Sequence, residues 1–460
     1  MPRWVGVSHS CARRASSEPG CGLHLLSSHT TGYRARFTTT PERNSMLAIN
    51  DLTFSRDYFE KRFAELNRLP HLRRSGGERY AVCLQEPERW LALCLFLRQS
   101  GASVAPLHPS TPLEGAKRLA KRLRCTQLLF HDEAQSLALE DGARDDTGVL
   151  VQLSSGTTGT PKSIERTWAA VDAEVSSYVD ALGSLGECEP LLACPVTHSY
   201  GLISGVLSSL RRGVTPVVLT NINPKYLIRR AADRTQALLY ASPTLLNVLV
   251  RLLPEGANLC TVMTSGAPLR SAWFAELRRR SLRVMQQYGC SEFGCISLNL
   301  DTQAAEEVGR PLRYLEVTAG SSKTALEEIR VRAGDRFVST KDLGYFNQRG
   351  LCFVSRVDDT INVAGINVYP GEVEEVVLDL EGVEEAVVYK RTDAYAGERV
   401  CLKFVATRTV DAAEVRRFCA QQLTPFAVPL EVHQVSEIPK LENGKVNRRQ
   451  LAEAPEELQP

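Results

Sequence analysis

Short apolar runs alternate with helix-length segments over most of this 460-residue chain, and that alternation restricts the fold more than any other feature. ERYAVCLQ (78–85) reads as a strand, PERWLALCLFLRQSG (87–101) as a helix closed by Gly101, and ASVAPLHP (102–109) as the next strand. Strands joined through a helix pair in parallel, and a parallel sheet needs helices on both faces. The rhythm continues through CTQLLFH, GVLVQLSSG, PLLACPV, TPVVLT, ALLYASP, LCTVMTSG and LRVMQQYG. Several of these runs end on Ser, Gly, His or Tyr. In open α/β sheets ligands collect beyond the carboxyl ends of the strands, so the site is expected in those loops.

After about Gly320 the text changes to short strands with hairpin turns, LEEIRVRAG, DRFVSTKDLGYF and NQRGLCFVSRVDD, which read as a β-rich closing section. From Asp358 a helix (PGEVEEVVLDLEG), two strands (EEAVVYKR, RVCLKFVA) and a second helix (DAAEVRRFCAQQL) follow, enough for a small α/β domain. The expected fold is therefore α/β: a large multi-sheet domain over 46–356 and a small C-terminal α/β domain over 358–455. Residues 1–45 carry six arginines, two acidic residues and no sustained apolar periodicity, so they do not fold alone. They read either as an Arg-rich, Ser-rich leader or as an over-extended start before Met46.

A formal charge of +2 gives no electrostatic case for a nucleic-acid or acidic-lipid partner. The most apolar run, LALCLFL (91–97), is far shorter than the ~20 residues of a membrane-spanning helix. The thirteen cysteines contain no C-x-x-C pair and no Cys/His zinc spacing. Reduced, packing thiols and a cytoplasmic location are expected.

SSGTTGTPKS, Ser154 to Ser163, follows an apolar strand and is rich in glycine, which permits positive φ, and in hydroxyls, which hydrogen-bond anionic oxygens. Such a loop can wrap phosphates. It departs from a Walker loop because Pro161 stands where the second glycine belongs. In a Walker loop the Lys and Ser open a helix aimed at the phosphates, and Pro161 does not forbid one. The loop by itself leaves both readings open.

Later segments, in order, resemble the adenylate-forming superfamily of acyl- and aryl-CoA synthetases, luciferases and adenylation domains, over roughly Arg79 to Leu451. Its glycine-rich loop has the form S-[ST]-G-T-T-G-x-P-K, which SSGTTGTPK fits throughout. The resemblance implies that Ser154, Ser155, Gly156, Thr157, Thr158, Gly159 and Lys162 hold ATP phosphates, with Lys162 also catalytic and Thr157 a magnesium ligand. HSYGLISGVLSSLRRG resembles the segment that puts His198 between acyl pocket and thiol tunnel. TSGAPL (264–269) and QQYGCSEFG (286–294) resemble the adenine-binding pair. They imply nucleotide contacts from Gly266, Ala267, Pro268, Tyr288, Gly289 and Ser291, with Tyr288 stacked on the base and Glu292 on Mg²⁺.

STKDLGYF resembles the T-G-D segment, with Asp342 on the ribose hydroxyls and Lys341 in place of glycine. SRVDDTINVAGINVYPGEVEEVV resembles the hinge segment. There Arg356 is a second ribose contact, Asp358 the pivot of a mobile small domain, and Gly365 lies near the thiol tunnel. IPKLENGKVNRRQL resembles the terminal segment whose lysine, Lys445, reaches the reacting carboxylate and α-phosphate.

The implied reaction couples a carboxylic acid to ATP with loss of pyrophosphate, then transfers the acyl group from AMP to a thiol. Coenzyme A and a carrier protein's phosphopantetheine arm both supply that thiol. PVTHSYG holds no aspartate to pair an α-ammonium, and an unpaired buried ammonium is costly, so a non-amino acid is favoured over an amino acid. The short stretch before the loop favours a compact acyl or aromatic acid. A P-loop NTPase would need a Walker B aspartate that PLLACPV lacks, and a non-catalytic nucleotide binder would be expected to have lost Lys445 or Glu292.

Overall fold

Burial on both faces explains why the strands read as unbroken apolar runs. The structure is a computed structural model that describes residues 44–154, 162–363, 366–393, 396–441 and 446–453, all within one compact unit. Arg79–Cys83, a strand with all five residues buried, pairs in parallel with Ser103–Pro106 and Gln127–Phe130. Pro87–Gln99 makes the crossover helix, with Pro87 in its first turn, where the missing N–H costs nothing. Val149–Ser154 and Lys162–Thr167 complete a six-stranded sheet among the described residues.

The second sheet has thirteen strands among the described residues. Its centre is parallel, running through Val217–Val218, Glu189–Leu192, Ala237–Ala241, Leu259–Thr264 and Ser281–Cys290. Antiparallel strands from Gly294–Asn299 to Glu316–Thr318 extend it, so the β-rich closing section continues this sheet. One core joins Tyr80 and Val82 of the first sheet to Leu192, Tyr240 and Met263 of the second, with Trp168, Val175 and Tyr178 of the Trp168–Leu182 helix among them. Fully burying an apolar side chain of this size contributes roughly 1.5–3 kcal/mol before entropy is counted.

The C-terminal part is a small α/β body with its own sheet and core. Val383–Asp393 and Gly397–Ala406 form a long antiparallel pair, and Pro370–Leu378 and Ala412–Gln422 supply Val373, Val377, Val415 and Cys419 to the core. Among the described residues no helix is long and apolar enough to cross a membrane.

The segment after the glycine-rich loop decides between the two readings left open above. Lys162–Thr167 is a strand, antiparallel to Val149–Ser154, with Lys162 opposite Ser154 and Thr167 opposite Val149. The chain after the loop thus runs as a strand and does not form the helix that a Walker loop requires there.

Candidate active site

The 264–269 and 286–294 segments leave the same end of the large sheet. Leu259–Thr264 and Ser281–Cys290 are parallel neighbours, with Thr264 beside Gln286. Ser265 Oγ donates to the Gln287 carbonyl at 3.1 Å, pinning one loop to the other strand. Gly266 has φ +90°, and a Cβ on Gly289 would fall 2.1 Å from the Gly294 carbonyl. Only glycine meets both demands.

Tyr288, Asp342 and Arg356 come from three separate segments and meet here. The Tyr288 hydroxyl donates to Asp342 Oδ2 at 2.6 Å, and Arg356 Nη1 lies 3.1 Å from Asp342 Oδ1. Asp342 and Arg356 face each other across adjacent strands, Arg336–Asn347 and Gly350–Arg356. Burial, with the Asp342 carboxylate beside it, pushes the Tyr288 phenol well above its ordinary value, so it remains a donor. Arg356 Nε and the hydroxyl of Thr264, the last residue of the Leu259–Thr264 strand, are buried without hydrogen-bond partners. Buried polar atoms left unpaired beside such a cluster suit a polar ligand.

Lys341, where the related segment has glycine, takes the glycine conformation, with φ +64°. Its N–H donates to Glu328 Oε1 at 2.9 Å, and its carbonyl accepts from Val357 N–H at 2.8 Å. These bonds offset a left-handed cost of roughly 1–2 kcal/mol. Lys341→Gly is expected to keep stability and activity. Lys341→Val, β-branched at positive φ, should lose roughly 1–2 kcal/mol more in urea denaturation. Equal stability of the two variants would remove the backbone explanation.

His198 lies two residues before an eight-residue π-helical turn, Tyr200–Leu207, and its carbonyl accepts from the Leu202 N–H at 2.8 Å; such turns gather at functional sites. Gly201 allows it, since a Cβ there would lie 2.2 Å from the Pro195 carbonyl. Ser199 Oγ donates to Gln152 Oε1 at 2.6 Å, linking this segment to the strand that enters the glycine-rich loop. Tyr200 OH donates to the Met263 carbonyl at 2.6 Å, linking it to the 264–269 loop.

Beneath these loops lies an ion pair that sequence reading missed. Arg166 Nη2 is 2.5 Å from Glu174 Oε2, and the two side chains are 2% and 1% exposed. Glu174 Oε1 also accepts from Cys295 N–H at 2.7 Å. Three elements therefore meet on one carboxylate: the strand leaving the glycine-rich loop, the Trp168–Leu182 helix and the strand after Glu292. A glutamate amid WAAVDAEVSSYV was the available signal.

Glu292 and Ser291 sit half-buried in the turn between Ser281–Cys290 and Gly294–Asn299. Gly266, Ala267 and Pro268 are exposed in their loop. Among the described residues no three His, Cys, Asp or Glu side chains converge on a metal position. Ser155, Gly156, Thr157, Thr158, Gly159, Gly365 and Lys445 lie outside the described residues, as do the side chains of Ser154 and Lys162.

Comparison with known proteins agrees with this geometry. The AMP-binding enzyme family matches residues 132–319, and the AMP-binding enzyme C-terminal domain matches 372–445. The chain is 40% identical over 408 residues, 88% of its length and 98% of the relative's, to the 3,4-dihydroxybenzoate–[aryl-carrier protein] ligase of Bacillus anthracis. It is 27% identical over 348 residues, 69% of its length and 71% of the relative's, to a 2-succinylbenzoate–CoA ligase of Bacillus licheniformis. Its fold matches ATP-bound MatB from Rhodopseudomonas palustris, with a TM-score of 0.75 at 20% identity, covering 91% of this chain and 97% of that one. With a strand where a Walker loop would open a helix, and Tyr288, Asp342 and Arg356 drawn together beside the 264–269 loop, the chain belongs to the AMP-binding enzyme family.

Proposed function

We propose that this enzyme joins a compact, non-amino aromatic carboxylic acid to ATP, releasing pyrophosphate, and then passes the acyl group to a thiol. The thiol belongs to coenzyme A or to a carrier protein's phosphopantetheine arm. The convergence of Tyr288, Asp342 and Arg356 beside two buried, unpaired donors carries the nucleotide half of this reading. The aromatic acid rests on the relatives, whose names specify dihydroxybenzoate and succinylbenzoate.

In the first step a carboxylate oxygen attacks the α-phosphorus and the bond to pyrophosphate breaks. In the second, thiol sulfur attacks the acyl carbonyl and AMP leaves. Both partners of the first step are anions, so positioning and positive charge supply the rate. Lys162 and Lys445 provide charge, Asp342 and Arg356 hold the ribose, Tyr288 stacks on the base, and His198 borders the acyl carbonyl. Thr157 and Glu292 would hold Mg²⁺, which takes oxygen ligands, keeps several waters and neutralises phosphate charge. Asp358, in an exposed turn between Gly350–Arg356 and Ile361–Val363, is the pivot between bodies 46–356 and 358–455. The cysteines of the described residues are all free thiols, which suits the reducing cytoplasm.

The test is a pyrophosphate-release screen over aliphatic, aromatic and amino acids, with and without coenzyme A or a phosphopantetheinylated aryl carrier protein. Release with 3,4-dihydroxybenzoate or another aromatic acid, with AMP as co-product, is expected. No release with any acid overturns the proposal, and ADP formation revives an NTPase.

A further inference from the structure

The Ser271–Arg279 helix follows the 264–269 loop directly, yet its N-cap residue is Arg270, whose side chain makes no capping bond. Ser, Thr, Asp or Asn normally accepts from the first free N–H groups at this position. The acceptor comes instead from the small body. Glu375 Oε1, on the Pro370–Leu378 helix, takes the Ser271 N–H at 3.0 Å and the Ser271 hydroxyl at 2.7 Å. A carboxylate at a helix N-terminus also meets the positive end of the helix dipole.

Arg270 lies over the Trp273 ring at 4.7 Å, with its Nη1 buried and unpartnered. Burial lowers its guanidinium, and the strongest charges acting on it come from the small body: Glu374, Glu385 and Glu375, with Arg448 opposing them. Arg448 bonds Glu374 at 2.7 Å and Lys440 bonds Glu385 at 2.7 Å. Lys440 and Arg448 flank Lys445 in sequence. The face docked against the helix is therefore the one that carries the flanks of Lys445.

We infer that Glu375 is a positioning residue: by capping the Ser271–Arg279 helix from the other body it holds the small body in the orientation that serves adenylate formation. This rests on the two-step reading above. The contact is exposed, so its free energy is modest, which suits a contact that must be released before the second step.

The experiment measures three quantities in Glu375→Ala, Arg270→Asp and the double variant. They are acid-dependent ATP–pyrophosphate exchange, thiolation of added acyl-adenylate, and amide hydrogen exchange at residues 271–273. Glu375→Ala should lower pyrophosphate exchange about five- to tenfold, within the range of ordinary site couplings, and expose the Ser271 amide while thiolation stays at or above wild type. Arg270→Asp caps the helix from its own chain segment and repels Glu374, Glu375 and Glu385. In the double variant the amides of residues 272 and 273 should gain protection while the Ser271 amide stays exposed and pyrophosphate exchange stays low.

Equal loss of both half-reactions in Glu375→Ala, or recovery of pyrophosphate exchange in the double variant, overturns the inference, because the contact would then serve only local stability. A wild-type protein without pyrophosphate exchange for any acid instead overturns the two-step reading, whereas the amide measurement still reports the contact.

Discussion

Lys445→Ala is expected to lose about 10²–10³ in acyl-adenylate formation, the effect of removing one preorganised charge-stabilising group. The first half-reaction brings an anionic carboxylate to a phosphate that is itself anionic, and charge grows on the bridging and pyrophosphate oxygens as the bonds exchange. An ammonium placed there acts on the transition state more than on the bound substrates. kcat and kcat/KM should therefore fall together, with little change in KM for either substrate. Thiolation is different, because the thiol attacks a carbonyl already activated by AMP. The variant should convert added acyl-adenylate to thioester at close to the wild-type rate. Wild-type ATP–pyrophosphate exchange in Lys445→Ala would remove this lysine from the chemistry.

Much of the fold was legible because parallel strands announce themselves as short apolar runs between helix-length segments. ERYAVCLQ, ALLYASP and LCTVMTSG all became central strands. Tyr288, Asp342 and Arg356 could be named from three separate motifs, but that they touch is a property of register: Asp342 opposite Arg356 across one strand pair, and Tyr288 on a different strand of the same sheet. What stayed hidden depends on partners distant in sequence. Pro161 allowed a helix or a turn, and only the pairing of Lys162 with Ser154 excludes the helix. Lys341 keeps a glycine conformation because Glu328, thirteen residues earlier, receives its N–H. Ser271 lacks a local cap because one arrives from residue 375. No periodicity encodes such contacts.

The same is true of Arg166 and Glu174, whose removal should have the largest effect on stability. Burial pushes the Glu174 carboxyl up, while Arg166 and the Cys295 N–H favour its ionised form. Burial acts against the Arg166 guanidinium as well, but the adjacent carboxylate holds it above its ordinary value. Glu174→Ala leaves a buried guanidinium that cannot deprotonate, so a loss of about 3–5 kcal/mol is expected in urea unfolding. Arg166→Met should cost less, because the stranded carboxyl can take up a proton and stay neutral. Its folded pKa then exceeds its unfolded value, so the folded state binds the extra proton. That contribution is fully present below the unfolded pKa and is lost as pH rises through the folded one. Arg166→Met should accordingly lie closer to wild type at pH 5 than at pH 8, whereas Glu174→Ala should show no such recovery. Arg166→Met/Glu174→Leu, which buries no charge, should recover most of the single-variant loss. If both single variants unfold at the wild-type urea midpoint, the pair contributes nothing to holding the Lys162–Thr167 strand against the strand that follows Glu292.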